Sequence, residues 1–207
     1  DWGAEHARKR GAPWWKSFTT GKSAATLGGV PHDRYGMTTQ SIREYVYGIL
    51  RKSELQEESI TKVQTGGPDG DLGSNEILLS KDKTVAVIDG SGVVHDPQGL
   101  DREELMRLAR ARKTVAHFDV SKLGKDGYLV LVEDRHLTLP SGEIVPDGLN
   151  FRNRAHLRFE ADLFVPCGGR PEAINIGNVH EMFDSEGKCH YKYIVEGANL
   201  FISRQGR

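Results

Sequence analysis

The sequence predicts a doubly wound α/β domain, with a mainly parallel sheet and helices on both faces. Three observations carry that expectation. A β-prone run from Ile60 enters a glycine-rich turn, with glycines at 67, 70 and 73, and the turn opens a stretch compatible with a helix. A second β-prone run, residues 84–89, follows and ends in an acid, Asp89. Two later β-like runs, residues 162–166 and 193–196, each lead into a turn of small residues, 167–169 and 197–199. In an open parallel sheet such turns stand at the carboxyl ends of strands, where ligand crevices form.

The first 22 residues are polar and basic, and the chain opens without Met on a stretch of helical character, so it reads as a segment of something longer. Trp14 and Trp15, beside Pro13, are expected to cover apolar surface. From residue 41 to 50, Ile42, Tyr45, Val46, Ile49 and Leu50 recur at helical spacing, and Ser41 with Glu44 forms a capping-box pair at the start. A second amphipathic helix is expected from about residue 101 to 112, with Leu105, Leu108 and Ala109 on one side. Residues 128–133 read as a buried strand, and 140–142 and 146–148 as turns. No internal repeat or low-complexity tract interrupts the pattern.

At 207 residues, 37% hydrophobic and 28% charged, the chain has the composition of a soluble globular protein. No apolar run approaches the length of a membrane span, and no signal peptide is visible. A net charge of -1 excludes a general nucleic-acid binder, which needs clustered excess Lys and Arg. Two cysteines, Cys167 and Cys189, are too few for a disulfide scaffold and predict a reducing compartment, the cytoplasm.

The order strand, glycine turn, helix, strand, acid is the one a dinucleotide site needs. Glycines let backbone approach a pyrophosphate where a Cβ would stand in the way, and the first N–H groups of the helix lack intrahelical acceptors. Asp89 follows Gly67 by 22 residues, near the spacing of about 20 at which an acid reads the ribose hydroxyls of NAD. The turn reads GxxGxxG rather than GxGxxG, and a glycine-rich loop can be only a tight turn. The stretch from Thr20 to Ser23 fails as a phosphate loop, because Lys16 stands where a glycine is required.

The run Val85 to Asp101, with His95-Asp-Pro-Gln-Gly-Leu-Asp101, resembles the second strand and following loop of glutamate dehydrogenases. Ala161-Asp-Leu-Phe-Val-Pro-Cys167 resembles that family's "DILIPAA", and Glu196-Gly-Ala-Asn199 matches its "EGAN". Residues 17–22 and 28–38 look like the lead-in to its cofactor domain. The 66–77 turn and the 12–18 run resemble the large-subunit, NAD-specific branch. The likeness covers nearly the whole chain and is weakest from residue 116 to 156.

The resemblance implies a lead-in segment, residues 1–40, and a Rossmann-like NAD-binding domain, 41–207, incomplete at its C-terminus. It implies that Gly67, Gly70, Asp71, Leu72 and Gly73 line the pyrophosphate and that Asp89 accepts from the adenosine ribose while its charge repels the extra phosphate of NADP. Cys167, Gly168 and Asn199 would pass near the ribose and nicotinamide, and Thr38 would contact the nicotinamide amide. Each has a plainer reading: Asp89 as a turn acid before Gly90, Cys167 in a structural turn, Thr38 as a helix N-cap. Asn175 is a further candidate after the 167–169 turn. The family's catalytic lysine and aspartate would lie upstream, so no catalytic residue is assigned.

The expected activity of the parent protein is oxidative deamination of L-glutamate to 2-oxoglutarate and ammonia, in a homo-oligomer. The alternatives are a sister dehydrogenase of leucine, valine or phenylalanine and a non-catalytic nucleotide-sensing module. Cys189-His190 with His180 fits no zinc spacing, and His32-Asp33 has no nucleophile beside it, so neither is assigned chemistry.

Overall fold

A computed structural model of the chain describes every residue except Thr20 and Pro31, and every other side chain except those of Asp33 and Arg34. Thr20 and Pro31, which fall in the two lead-in segments that carry the resemblance, therefore lie outside the described residues, as does the side chain of Asp33 in the His32-Asp33 pair.

The chain opens with helix α1 (Trp2–Lys9), followed by two one-turn helices, α2 (Ala24–Leu27) and α3 (His32–Tyr35). Helix α4 (Met37–Lys52) then buries Ile42, Val46 and Leu50, four residues apart, while Tyr45 is 70% exposed rather than part of the buried stripe. The expected capping box is not formed. Gly36 takes a left-handed conformation (φ 57°) that only glycine adopts without penalty, so the helix starts at Met37 and places Ser41 and Glu44 inside it. Trp14 is also more exposed than expected (54%), packing on the equally exposed Phe18, while Arg8 and Lys16 stand over the ring of Trp15.

The glycine-turn unit folds as expected. Strand β1 (Thr61–Thr65) is followed by helix α5 (Asp71–Leu79) and by β2 (Lys83–Ile88), which pairs parallel to β1. A short strand, β3 (Gly92–His95), turns back antiparallel to β2. Helix α6 (Arg102–Ala111) is capped by Asp101, whose carboxylate accepts from Glu104 N at 2.7 Å, and it buries Leu105, Leu108 and Ala109.

Strand β4 (Tyr128–Leu131) pairs antiparallel to β3, and β5 (Arg135–Thr138) forms a separate hairpin with β6 (Ile144–Asp147) across the 140–142 turn. Residues 146–148 are no turn: Pro146 and Asp147 end β6, and Gly148 begins helix α7 (Gly148–Arg158). The proline is tolerated because a two-stranded hairpin is all edge, so its missing N–H costs no ladder bond. Asp147 caps α7 by accepting from Asn150 N at 2.7 Å. Strands β7 (Ala161–Pro166) and β8 (Tyr191–Ile194) complete the sheet.

The six-stranded order is β4-β3-β2-β1-β7-β8, with β2, β1, β7 and β8 mutually parallel. Because β3 alone is reversed, β4 regains the common direction, and the sheet is mainly parallel as predicted. Alternate residues face opposite layers. Val63, Ala86, Ile88 and Phe164 face α7 with Phe151, Ala155 and Phe201. The opposite layer holds α5 and α6 on Ile77, Val87, Leu105 and Leu108, and α4 on Ile42, Val46, Leu163 and Val165. Among the described residues no helix is long and apolar enough to cross a membrane.

One part of this layer is ionic. Lys62, on β1 between α4 and α5, lies 3.2 Å from Glu76 of α5 and 3.0 Å from Asp82, while Arg43 of α4 pairs with Glu76 at 3.1 Å and Glu57 at 2.5 Å. Lys62, Arg43 and Glu76 are fully buried. Burial disfavours the Lys62 ammonium, but Asp82 and Glu76 more than offset it and hold its pKa above the ordinary range.

Candidate functional site

The strand order reverses at β1: α5 and β2 go to one side, while β7 arrives on the other. Ligand crevices of doubly wound sheets open at such a switch point, outside the carboxyl ends of the strands. Here a crevice of about 440 Å³ lies there, walled by the turn after β1, by Ile88 and Asp89 at the end of β2, by the 167–170 turn after β7 and by α7.

The turn after β1 is shaped by contacts within the chain. Gly66 has φ 85°, and a Cβ on it would meet the backbone of Gly168 at 2.4 Å. A Cβ on Gly73 would sit 2.3 Å from Gly67 O, and one on Gly67 would sit 2.3 Å from Asp89 Oδ2. Close approach of helix, strand and acid thus requires these three glycines. Gly70 differs. It is the N-cap of α5 with ordinary extended φ (-82°), and a Cβ there would have nothing nearer than Gly67 O at 3.6 Å. The fold places no steric demand on Gly70, so the space beside it belongs to the crevice. The first-turn N–H groups of Asp71, Leu72 and Gly73 have no acceptor within the helix and are the donors an anion would use.

Asp71 is exposed, and its carboxylate pairs with Arg112 at 2.7 Å; half-buried Leu72 packs toward α4 and Gly197. Asp89 is buried (4% exposed) and already works within the fold: Oδ1 accepts from Ser91 N (2.8 Å) and Ser91 Oγ (2.7 Å), and Oδ2 from Val115 N (2.7 Å). A carboxylate offers about four acceptor positions, so one remains. The turn-acid reading of Asp89 is therefore realised, and its carboxylate still borders the crevice.

Across the crevice, Thr65 Oγ1 donates to Gly168 O at 2.6 Å, tying β1 to the turn after β7. Cys167 and Gly168 both line the wall. Burial pushes the Cys167 thiol well above its ordinary pKa, so it is a neutral wall residue rather than a nucleophile. Thr38, exposed on the first turn of α4, and Asn199, exposed after β8, are not among the lining residues. Gly36 rather than Thr38 is the N-cap of α4. Asn175 also stands away from the wall, holding its own turn through Gly177 N at 2.9 Å.

Sequence reasoning missed Gly66 and the whole α7 wall: Arg152, Asn153 and His156. The Gly66-Gly67 pair was a readable signal, whereas nothing in the spacing of residues 148–158 marks them as crevice residues. Arg152 Nε donates to Asp89 O at 2.6 Å. His156 stacks along Phe164 and meets Phe201 edge-on, and burial lowers its pKa to about 4, so the imidazole is neutral. Among the described residues no group of three or more His, Cys, Asp or Glu side chains could hold a metal ion.

Fold and crevice together define a doubly wound α/β domain with a glycine-turn ligand crevice at its switch point. The model of the glutamate/leucine/phenylalanine/valine dehydrogenase family matches residues 28–207, and the chain belongs to that family. It is 62% identical over 208 residues to a probable NAD-specific glutamate dehydrogenase of Schizosaccharomyces pombe, covering 100% of this chain and 19% of that protein. It is 60% identical over 209 residues to the NAD-specific glutamate dehydrogenase of Neurospora crassa, covering 100% of this chain and 20% of that protein. The chain thus spans about a fifth of the length of the curated relatives it matches. Among solved structures it resembles Plasmodium falciparum glutamate dehydrogenase (TM-score 0.59, 16% identity, 96% of this chain and 39% of that one). A hetero-hexameric glutamate dehydrogenase from Thermus thermophilus is similar (TM-score 0.59, 18% identity, 99% of this chain and 39% of that one). At those identities the likeness speaks for the fold.

Proposed function

We propose that the chain is the cofactor-binding domain of an NAD-dependent glutamate dehydrogenase, with residues 1–40 leading into a domain formed by 41–207. The observation that carries the reading is the crevice at the switch point, where the glycine turn, the open N-terminus of α5 and Asp89 meet. The names of relatives at 60% identity and above support the choice of NAD and glutamate.

In this reading the N–H groups of residues 71–73 hold the pyrophosphate beside Gly67 and Gly70. The remaining acceptor position of Asp89 takes a ribose hydroxyl, and its charge disfavours a 2′-phosphate. Cys167 and Gly168 border the path toward the nicotinamide; Thr38 and Asn199 belong to that end by motif alone. Bound NAD supplies the hydride acceptor for converting L-glutamate to 2-oxoglutarate and ammonia. The groups that act on the substrate lie in other parts of an oligomeric, cytoplasmic protein, a placement supported by two unpaired cysteines.

Calorimetric titration of the chain with NAD and NADP tests the site. NAD is expected to bind at least about tenfold more tightly than NADP, and Asp89→Asn, which removes the charge, to narrow that ratio. Binding of neither cofactor by the wild type overturns the reading.

A further inference from the structure

Arg152 is a cation in the crevice wall with no counter-ion among the described residues. It is half-buried on α7, its Nε donates to Asp89 O at 2.6 Å and its Nη1 to Asn153 Oδ1 at 3.0 Å. Both acceptors are neutral. Arg152 enters none of the ion pairs among the described residues. The acid beside it in space, Asp89, turns its carboxylate to Ser91 and Val115 instead. A guanidinium that has lost part of its hydration without gaining an anion is costly unless a ligand supplies the charge. It keeps N–H groups to spare, since two of about five are engaged.

Resting on the dinucleotide reading above, the geometry points to Arg152 as the residue that binds the phosphate on the adenosine side of the cofactor. Its Nε is fixed to the end of β2, where the ribose is read, and Asp89 there lies directly against Gly67 of the phosphate turn. The guanidinium therefore borders the crevice beside Asp89, whose carboxylate adjoins the glycine turn, and its planar fork suits a phosphate's paired oxygens. Asp89 and Arg152 divide the work: one reads a hydroxyl, the other neutralises a phosphate.

Titration of the full chain and its Arg152→Gln and Arg152→Lys variants with NAD, NADP, ADP and adenosine (the last by ligand-detected NMR) tests this. R152Q is expected to weaken NAD and ADP about tenfold and adenosine less than twofold; R152K, which keeps the charge, falls between. If R152Q does not fold, R152K carries the test, with a smaller loss on ADP and none on adenosine. An equal loss on ADP and adenosine, a loss confined to NADP, or no loss at all overturns the assignment. In each of those cases wild-type NAD binding leaves the cofactor reading intact; absent wild-type binding overturns that reading instead.

Discussion

Strand β1 carries two opposite kinds of site along its length. At its carboxyl end, past Thr65, the chain becomes bare backbone around an open crevice. Within the strand, Lys62 is sealed among Glu76, Asp82 and the α4 arginine with nothing exposed. Helix α5 belongs to both: its N-terminus faces the crevice and Glu76, in its second turn, bridges Lys62 and Arg43. The open end has unused donors and the closed end has used charges. A helix held at its middle by fully buried ion pairs cannot drift, so its first turn presents its N–H groups at a fixed distance from Asp89. In the proposed function, pre-organisation of the phosphate site rests on the charges beneath it.

Breaking the closed end should have the largest effect. Lys62→Met leaves Asp82 without its cation and Glu76 with Arg43 alone, and removing one partner of a buried pair costs about 4 kcal/mol. Urea unfolding should show a loss of that order, with NAD affinity falling in whatever folded protein remains.

Acid should act next, through two buried histidines, each contributing less than the ion-pair loss. His156 and His95 both have pKa values lowered to about 4 by burial, from an ordinary 6.5. The unfolded chain therefore binds protons that the folded chain refuses, and stability is full above about pH 6.5 and lost as pH falls toward 4. At about 1.4 kcal/mol per pKa unit, His156 alone accounts for roughly 3 kcal/mol when the loss is complete. A urea midpoint followed from pH 7 to 4 should fall, and His156→Gln should remove about half of that slope.

The glycine turn itself should respond to Gly73→Ala. Its Cβ collides with two backbone oxygens, at 2.3 and 2.5 Å, which cannot swing aside. Overpacking of this kind costs about 2 kcal/mol, and a drop in melting temperature should accompany weaker NAD binding.

The same contrast explains what could be read from the sequence. The β1–α5–β2 unit was legible because close approach of helix, strand and acid sets glycines at fixed positions along it, and β7 was legible as a continuous apolar run, the mark of a strand buried on both faces. Strand β4 was legible as a buried strand, but residues 134–158 were opaque for local reasons. Strands β5 and β6 are four residues each, too short for a period to show, and Pro146 imitates a turn at the end of a strand. Helix α7 spreads Leu149, Phe151, Ala155 and Leu157 among polar residues, which hid the crevice wall that Arg152 and His156 form. The ionic cluster was invisible because charged residues at 43, 62, 76 and 82 ordinarily face water, and only the fold brings them together.

Gly70→Ser separates the glycine that borders open space from those held by close contacts within the chain. Serine is a good N-cap, and among the described residues the nearest atom to the position a Cβ would take is Gly67 O at 3.6 Å. Melting temperature and NAD affinity are measured on the same preparation. Melting temperature should stay unchanged or rise slightly while NAD binding weakens at least about tenfold, because the new side chain would fill the space proposed for the pyrophosphate. Full NAD affinity in a stably folded Gly70→Ser variant would contradict it.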